Sequence, residues 1–423
     1  MDDLLAFLRI DTQSAKGKGV EGAKFLQDYM QSNGIEAELV KHKAVNPYVL
    51  GEINVGAPKT LLIYNHYDVQ PVEPLEKWET DPFTPTFKED KLIARGVADD
   101  KGALMARLEA VSELKKEGKL KVNLKFLYEG EEEIGSPHMP SFLPEYAKRL
   151  KADYILWEGA GRGPNGAPQV VLGVKGLLYV QISAKTPKDL HSMYAPIARN
   201  PAWELLDFLR ELRGPDGRVN IPGFYDDILV PPSVEGLTAS KLGIDLRLMK
   251  EALGYEVQDD FLVKLVRDPT CNLDGIQSGY TGEGSKTVIP SHAFVKLDFR
   301  LVPRQQPKVV LAALREMVKK RNLEMMVLGE EEPFRTCEDS EIAKALIDSA
   351  RETFFMEPLV LPNSPGTGPM ASVARTLGIG QIADGVGPDN PGSNIHSFNE
   401  FIYKRDYRLC KEWMVNLLKR LGV

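Results

Sequence analysis

Glu131, Glu132 and Glu133 stand side by side in the stretch Glu129-Gly-Glu131-Glu132-Glu133-Ile-Gly-Ser136. Adjacent carboxylates repel one another, and near a low-dielectric core each raises its neighbours' pKa values. An isolated acidic triplet reads as a solvated turn. This one follows Val122-Asn-Leu-Lys-Phe-Leu-Tyr128, whose alternating apolar residues predict a β-strand, and a Gly-Ser turn lies behind it. Carboxylates at the end of a buried strand call for a cation.

Further ligand types occur at comparable places. The apolar run Thr60-Leu-Leu-Ile-Tyr64 leads to His66, and Ala152-Asp-Tyr-Ile-Leu-Trp157 leads to Glu158. Asp99 lies between a short strand and a helix, and His396 comes from the far end of the chain. Open α/β sheets bind ligands outside the carboxyl ends of their strands, which is where His66, Glu133 and Glu158 fall. Two imidazoles and three carboxylates suit a borderline cation such as Zn²⁺, with Mn²⁺ or Co²⁺ as substitutes. Three carboxylates exceed the charge one divalent ion needs, so two ions sharing a bridging Asp balance the set better.

Each residue has a blander reading. A lone His after an apolar strand is usually a hydrogen-bonded core residue, Asp99-Asp100 can serve as helix-capping acids, and Glu158 can be a loop acid. Asp68 strengthens the case for His66. On extended backbone residues i and i+2 face the same way, so its carboxylate can take the second imidazole N–H and fix the tautomer.

The elements around these residues define the fold class. Strand runs alternate with helix patterns at 4–10, 22–33, 103–116 and 141–150, predicting an α/β domain with a mostly parallel sheet and helices on both faces. The texture changes near Gly173. Residues 175–331 read as an inserted α+β lid or dimerisation domain, and 1–174 with 332–423 as the catalytic domain. The lid contains a strand over 177–183, a helix over 202–212, one long strand over 288–303 and a helix over 309–320.

The 423 residues are 43% hydrophobic and 27% charged, with net charge −7. That balance offers no attraction to nucleic acid or anionic membranes. No stretch approaches the roughly 20 apolar residues of a membrane span. The N-terminus lacks a signal-peptide pattern, and Cys271, Cys337 and Cys410 form no CxxC pair, so a cytoplasmic protein without disulfides is expected.

Five motifs occur in order: His66-x-Asp68-x-x-Pro71, Asp99-Asp-Lys-Gly102, Glu132-Glu133-x-Gly-Ser136, Asp189-Leu-His-Ser192 and His396-Ser-x-Asn-Glu400. Together they resemble the two-metal peptidase family of carboxypeptidase G, acetylornithine deacetylase, succinyl-diaminopimelate desuccinylase and the carnosinase-type dipeptidases. Tyr67, Gln70 and Leu301-Val-Pro303 lean toward the dipeptidase branch. The resemblance implies that Asp99 bridges two metals, with His66 and Glu158 on one side and His396 and Glu133 on the other. It makes Asp68 the residue that orients His66 and Glu132 the general base acting on a metal-activated water. Glu158 departs from the family's usual Glu-Pro or Asp-Asn step.

The resemblance also assigns His191 to the oxyanion, often from the partner subunit of a dimer, and implies a homodimer formed through the lid. Arg300 and the loop carrying Thr367 and Gly368 would hold a substrate carboxylate. The expected substrate is a dipeptide or short peptide with a free C-terminal carboxylate, and the alternative is an N-acyl amino acid. Glu131 is expected to be either a solvated residue or a neighbour behind the metal ligands, and the mutual repulsion of the triplet is expected to help keep Glu132 basic.

Overall fold

Both faces of the central sheet are covered, which is why its strands read as unbroken apolar runs. The computed structural model describes residues 1–226 and 228–422. The strands of the two main sheets are, in chain order, β1 (Glu36–Val40), β2 (Tyr48–Ile53), β3 (Thr60–His66), β4 (Asn123–Glu129), β5 (Tyr154–Ala160), β6 (Gln169–Val171), β7 (Gly176–Lys185), β8 (Thr270–Ser278), β9 (His292–Leu301), β10 (Glu324–Glu331), β11 (Leu359–Leu361) and β12 (Ile382–Val386). The large sheet has the order β1-β2-β4-β3-β5-β12-β6-β11. Its centre is parallel, with β3 beside β4 and β5, and β12 beside β5. At one edge β1 and β2 run antiparallel.

Successive residues along one strand enter different cores. Leu61 and Ile63 of β3 pack with the helices Asp2–Leu8, Val20–Ser32, Lys101–Lys116, Glu341–Phe354 and Lys404–Leu421. Leu62 and Tyr64 pack on the opposite side with Met139–Leu150 and Met370–Leu377. The two-sided covering leaves the carboxyl ends of β3, β4 and β5 as the place where polar side chains can emerge.

The second sheet, β8-β9-β7-β10, is antiparallel throughout. Helices Pro201–Leu212 and Pro307–Lys320 cover one face of it, burying Leu205, Phe208, Val310 and Leu314 against Val180, Val295 and Leu297. The long strand expected over 288–303 is divided. Val288–Ile289 pairs with Leu190–His191, and β9 begins at His292. Pro290 supplies no backbone donor, which ends the first pairing.

Residues 214–285 contain none of the five motifs. Within them, Val234, Leu237, Ala239, Ile244, Phe261, Leu262, Val263 and Val266 form one core with Ala167, Val171, Leu359 and Leu361. This helical arm therefore packs on the β6–β11 edge of the large sheet. Lys175 Nζ donates to the Asp268 carbonyl at 2.6 Å, and Asn363 Nδ2 donates to the Val266 carbonyl at 3.1 Å. No helix among the described residues is long and apolar enough to cross a membrane.

Candidate active site

His66 ends β3 opposite Glu129, the last residue of β4, so the acidic turn and the histidine leave the sheet together. The imidazole is 1% exposed. Its Nδ1 lies 3.1 Å from the Asp68 carbonyl oxygen and 3.5 Å from the nearest Asp68 carboxylate oxygen. The closer contact is thus the main-chain one, with the expected carboxylate at longer range on the same ring nitrogen. The Asp68 carboxylate is engaged elsewhere: it accepts the backbone N–H groups of Glu132 at 3.3 Å and Glu133 at 3.0 Å. A buried carboxylate is best satisfied by such converging donors. Asp68 therefore ties the His66 loop to the acidic turn.

Asp99 faces both histidines. Its Oδ1 lies 2.9 Å from His66 Nε2, and its Oδ2 lies 3.0 Å from His396 Nε2. Glu133 Oε2 is 3.1 Å from the same His396 nitrogen and also accepts from Gln70 Nε2 at 2.8 Å. Ligand atoms of His66, Asp99 and Glu133 all lie within 4.8 Å of one another. Residues from four distant parts of the chain thus meet around one carboxylate.

The electrostatics describe a site overfilled with acid. Burial raises the Glu132 carboxyl to about 7; His66 opposes the shift, and the charges of Asp99 and Glu133 add to it. Burial, followed by the charge of Glu132, pushes Glu158 well above the carboxylate range. Burial pulls the His66 imidazole down, but Asp68 and Asp99 outweigh it and hold the ring well above the usual histidine value. Hydrogen bonds to Asp99 and Glu133 lift His396 to about 10. The nitrogen and oxygen donors suit borderline divalent ions, and the excess of carboxylates leaves charge for two of them. The residues present fit such a pair.

The three residues of the acidic triplet separate. Glu131 is 1% exposed, which fits the second of its two expected places and not the solvated one. Its carboxylate accepts from the Val45 N–H at 2.8 Å and pairs with His138 Nδ1 at 2.5 Å. Those partners tie it to the 42–46 loop and to His138.

Arg300 and Thr367 come together across the two sheets. Arg300 lies on β9, and its Nη1 donates to Thr367 Oγ1 at 2.8 Å while its Nε donates to Asp298 at 3.2 Å. Thr367 Oγ1 in turn lies 3.3 Å from the Gly176 carbonyl. A side chain at Gly368 would meet nothing within 4 Å, so the loop borders open space. His191 is exposed, and its Nδ1 accepts the Met193 N–H at 3.1 Å. Within the chain it has no hydrogen bond to the residues around Asp99 among those described.

Residues 62–420 match the family described as Peptidase family M20/M25/M40. The chain belongs to that family. This M20 chain is 44% identical to an M20 family metallo-carboxypeptidase from Sulfolobus solfataricus, with a TM-score of 0.90 covering 99% of this chain and 98% of that one. It is 32% identical over 291 residues to the Cys-Gly metallodipeptidase of Schizosaccharomyces pombe, covering 65% of this chain and 60% of that protein. It is 30% identical over 293 residues to the Beta-Ala-His dipeptidase of Homo sapiens, covering 66% of this chain and 58% of the relative. The M20 chain thus spans less than two thirds of either curated relative.

Several residues that shape the M20 site have no signal in the sequence pattern. Arg107 reads as one polar position on a helix, yet it is fully buried behind β5. Asp100 accepts from Asn65 Nδ2 at 2.6 Å, and burial raises its carboxyl to about 6. Asp384 sits near Arg107, and burial lifts it to about 7. Glu400 does carry a signal, as the last acid of the His396 motif. It is 1% exposed and pairs with Arg95 Nη1 at 2.7 Å.

Proposed function

We propose that this chain is a metal-dependent hydrolase. It cleaves the amide bond of dipeptides or short peptides that carry a free C-terminal carboxylate. The observation that carries the reading is Asp99, whose two oxygens each face a different histidine, as a carboxylate bridging two cations requires. His66, Asp99 and Glu158 would hold one ion, and His396, Asp99 and Glu133 the other, most readily Zn²⁺, with Mn²⁺ or Co²⁺ as substitutes. Bound there, divalent ions supply Lewis-acid charge and a water acidified toward neutrality.

The chain's own residues supply the rest. Glu132 takes a proton on its carboxylate and returns it to the departing amine. Its burial favours the proton-accepting role near pH 7, because its carboxyl is raised to about 7. Arg300 and Thr367 orient the substrate carboxylate through a planar guanidinium and a hydroxyl. His191 donates to the developing oxyanion from a second copy of the chain. Its exposure, and the exposed Met193, Tyr194 and Ile197 beside it, support an intermolecular role. A lid-mediated homodimer is supported by the free edge of β8 with exposed Leu273 and Ile276, beside Trp203 and Leu206. All three cysteines are free, which suits the cytoplasm.

A substrate panel tests the reading. Zinc-loaded protein should turn over unblocked dipeptides and short peptides, and amidation of their C-terminus should sharply lower kcat/KM. Turnover confined to N-acetyl or N-succinyl amino acids would replace this reading with a deacylase.

A further inference from the structure

The strand that delivers Glu158 is irregular at that residue. β5 and β12 pair in register up to Trp157 opposite Asp384, and the next pair is Gly159 with Gly385. Glu158 is the surplus residue of a β-bulge, a device that re-aims a side chain at the end of a ladder. Opposite the bulge stands Arg107, from the helix Lys101–Lys116, with no exposed surface. Its Nη1 donates to the Trp157 carbonyl at 2.7 Å and to Asn65 Oδ1 at 3.1 Å, and its Nη2 donates to the Glu158 carbonyl.

A buried guanidinium kept only for charge balance would fork onto a carboxylate. Asp384 is within its electrostatic reach, yet Asp384 Oδ1 has no hydrogen-bond partner among the described residues. The two terminal nitrogens of Arg107 instead donate to the carbonyls of the peptide bonds entering and leaving the bulged residue, and to the side chain of the residue preceding His66, while Nε has no partner among the described residues. We propose that Arg107 is a positioning residue: it clamps the bulge so that the Glu158 carboxylate is aimed at the cation shared with His66. The inference rests on the proposed role of Glu158 as a ligand of that ion. A lysine could keep the charge but not the planar fork that spans consecutive carbonyls.

Zinc titration of the full chain, by calorimetry and by competition with a chromogenic chelator, tests this without reference to turnover. Wild-type protein should bind two ions. Arg107→Lys should weaken one of them by about tenfold to a hundredfold, the effect expected for residues that orient metal ligands, and leave the other unchanged. The visible spectrum of the Co²⁺-loaded variant should change for that one site alone. In a Glu158→Ala background, Arg107→Lys should add almost nothing, because it acts through Glu158.

Equal weakening of both ions, unchanged affinities, or full additivity with Glu158→Ala would each overturn the proposal. If Glu158→Ala itself retained both ions at wild-type affinity, the ligand role of Glu158 would fail first, whatever Arg107→Lys did. Should Arg107→Lys not fold, Arg107→Gln combined with Asp384→Asn removes one buried charge of each sign and supports the same comparisons.

Discussion

Glu400 accepts the backbone N–H of Asp99 at 3.1 Å across some three hundred residues of sequence. The same carboxylate takes the N–H groups of Ala98 at 2.8 Å and Gly96 at 2.9 Å, together with the Arg95 guanidinium. The loop carrying the central carboxylate is therefore held by the segment that carries His396. Glu400→Gln should destabilise the fold by about 3–5 kcal/mol, the cost of leaving a buried charge unpaired. It should also weaken both ions, since each depends on Asp99. Urea denaturation with zinc analysis checks both effects, and parental stability with two tightly held ions would refute the coupling.

Glu132 makes no side-chain hydrogen bond among the described residues, whereas Glu133 is held by Gln70. Its backbone N–H is fixed by Asp68, so the side chain is anchored at its root and free at its tip. Glu132→Gln should lower kcat by at least about 10²–10⁴, the contribution of general acid–base catalysis, while two zinc ions remain bound. Substantial residual turnover with full metal content would require another base.

Arg300 Nη1 donates to Thr367 Oγ1 at 2.8 Å, and the two are proposed to hold the substrate carboxylate together. Arg300→Lys keeps the charge and loses the fork, so KM should rise about tenfold or more with a smaller change in kcat. Thr367→Ala removes one hydrogen bond of about 1 kcal/mol, and kcat/KM should fall about fivefold. Peptides ending in an amide should be insensitive to both changes. Equal sensitivity of acid and amide substrates would move the carboxylate site elsewhere.

The parts of this arrangement legible in the sequence are those with local causes. Strands covered on both faces produce apolar runs, and the polar residues that interrupt them mark the strand ends, as at His66 and Glu158. What remained hidden depends on packing between distant segments. Glu131 looks solvated until the 42–46 loop folds over it. Arg107 looks like a surface residue until a sheet covers its helix. The bulge at Glu158 leaves no trace in hydrophobic period, because a single surplus residue at a strand end resembles the start of a loop. The helical arm over 232–267 leaves no such local trace, because its apolar residues find their partners on the edge of the large sheet.

Lys175 gives this arm a pH signature. The residue is 2% exposed, and its ammonium donates to the Asp268 carbonyl at the end of the arm. Burial pulls its pKa down from 10.5 to about 8; Asp268 opposes the shift, and the positive charge of Arg300 reinforces it. In the unfolded chain the group binds its proton up to about 10.4. Between pH 8 and 10.5 the unfolded state therefore holds more protons than the folded one, and folding stability rises with pH across that window. Below pH 8 both states are protonated and the destabilisation is constant. Lys175→Met removes the titration while filling most of the same volume. The stability of the parent relative to this variant, from urea denaturation at successive pH values, should climb between pH 8 and 10.5 and stay level below 8. A difference that stayed constant over the upper window would show that Lys175 keeps its ordinary affinity for the proton in the fold.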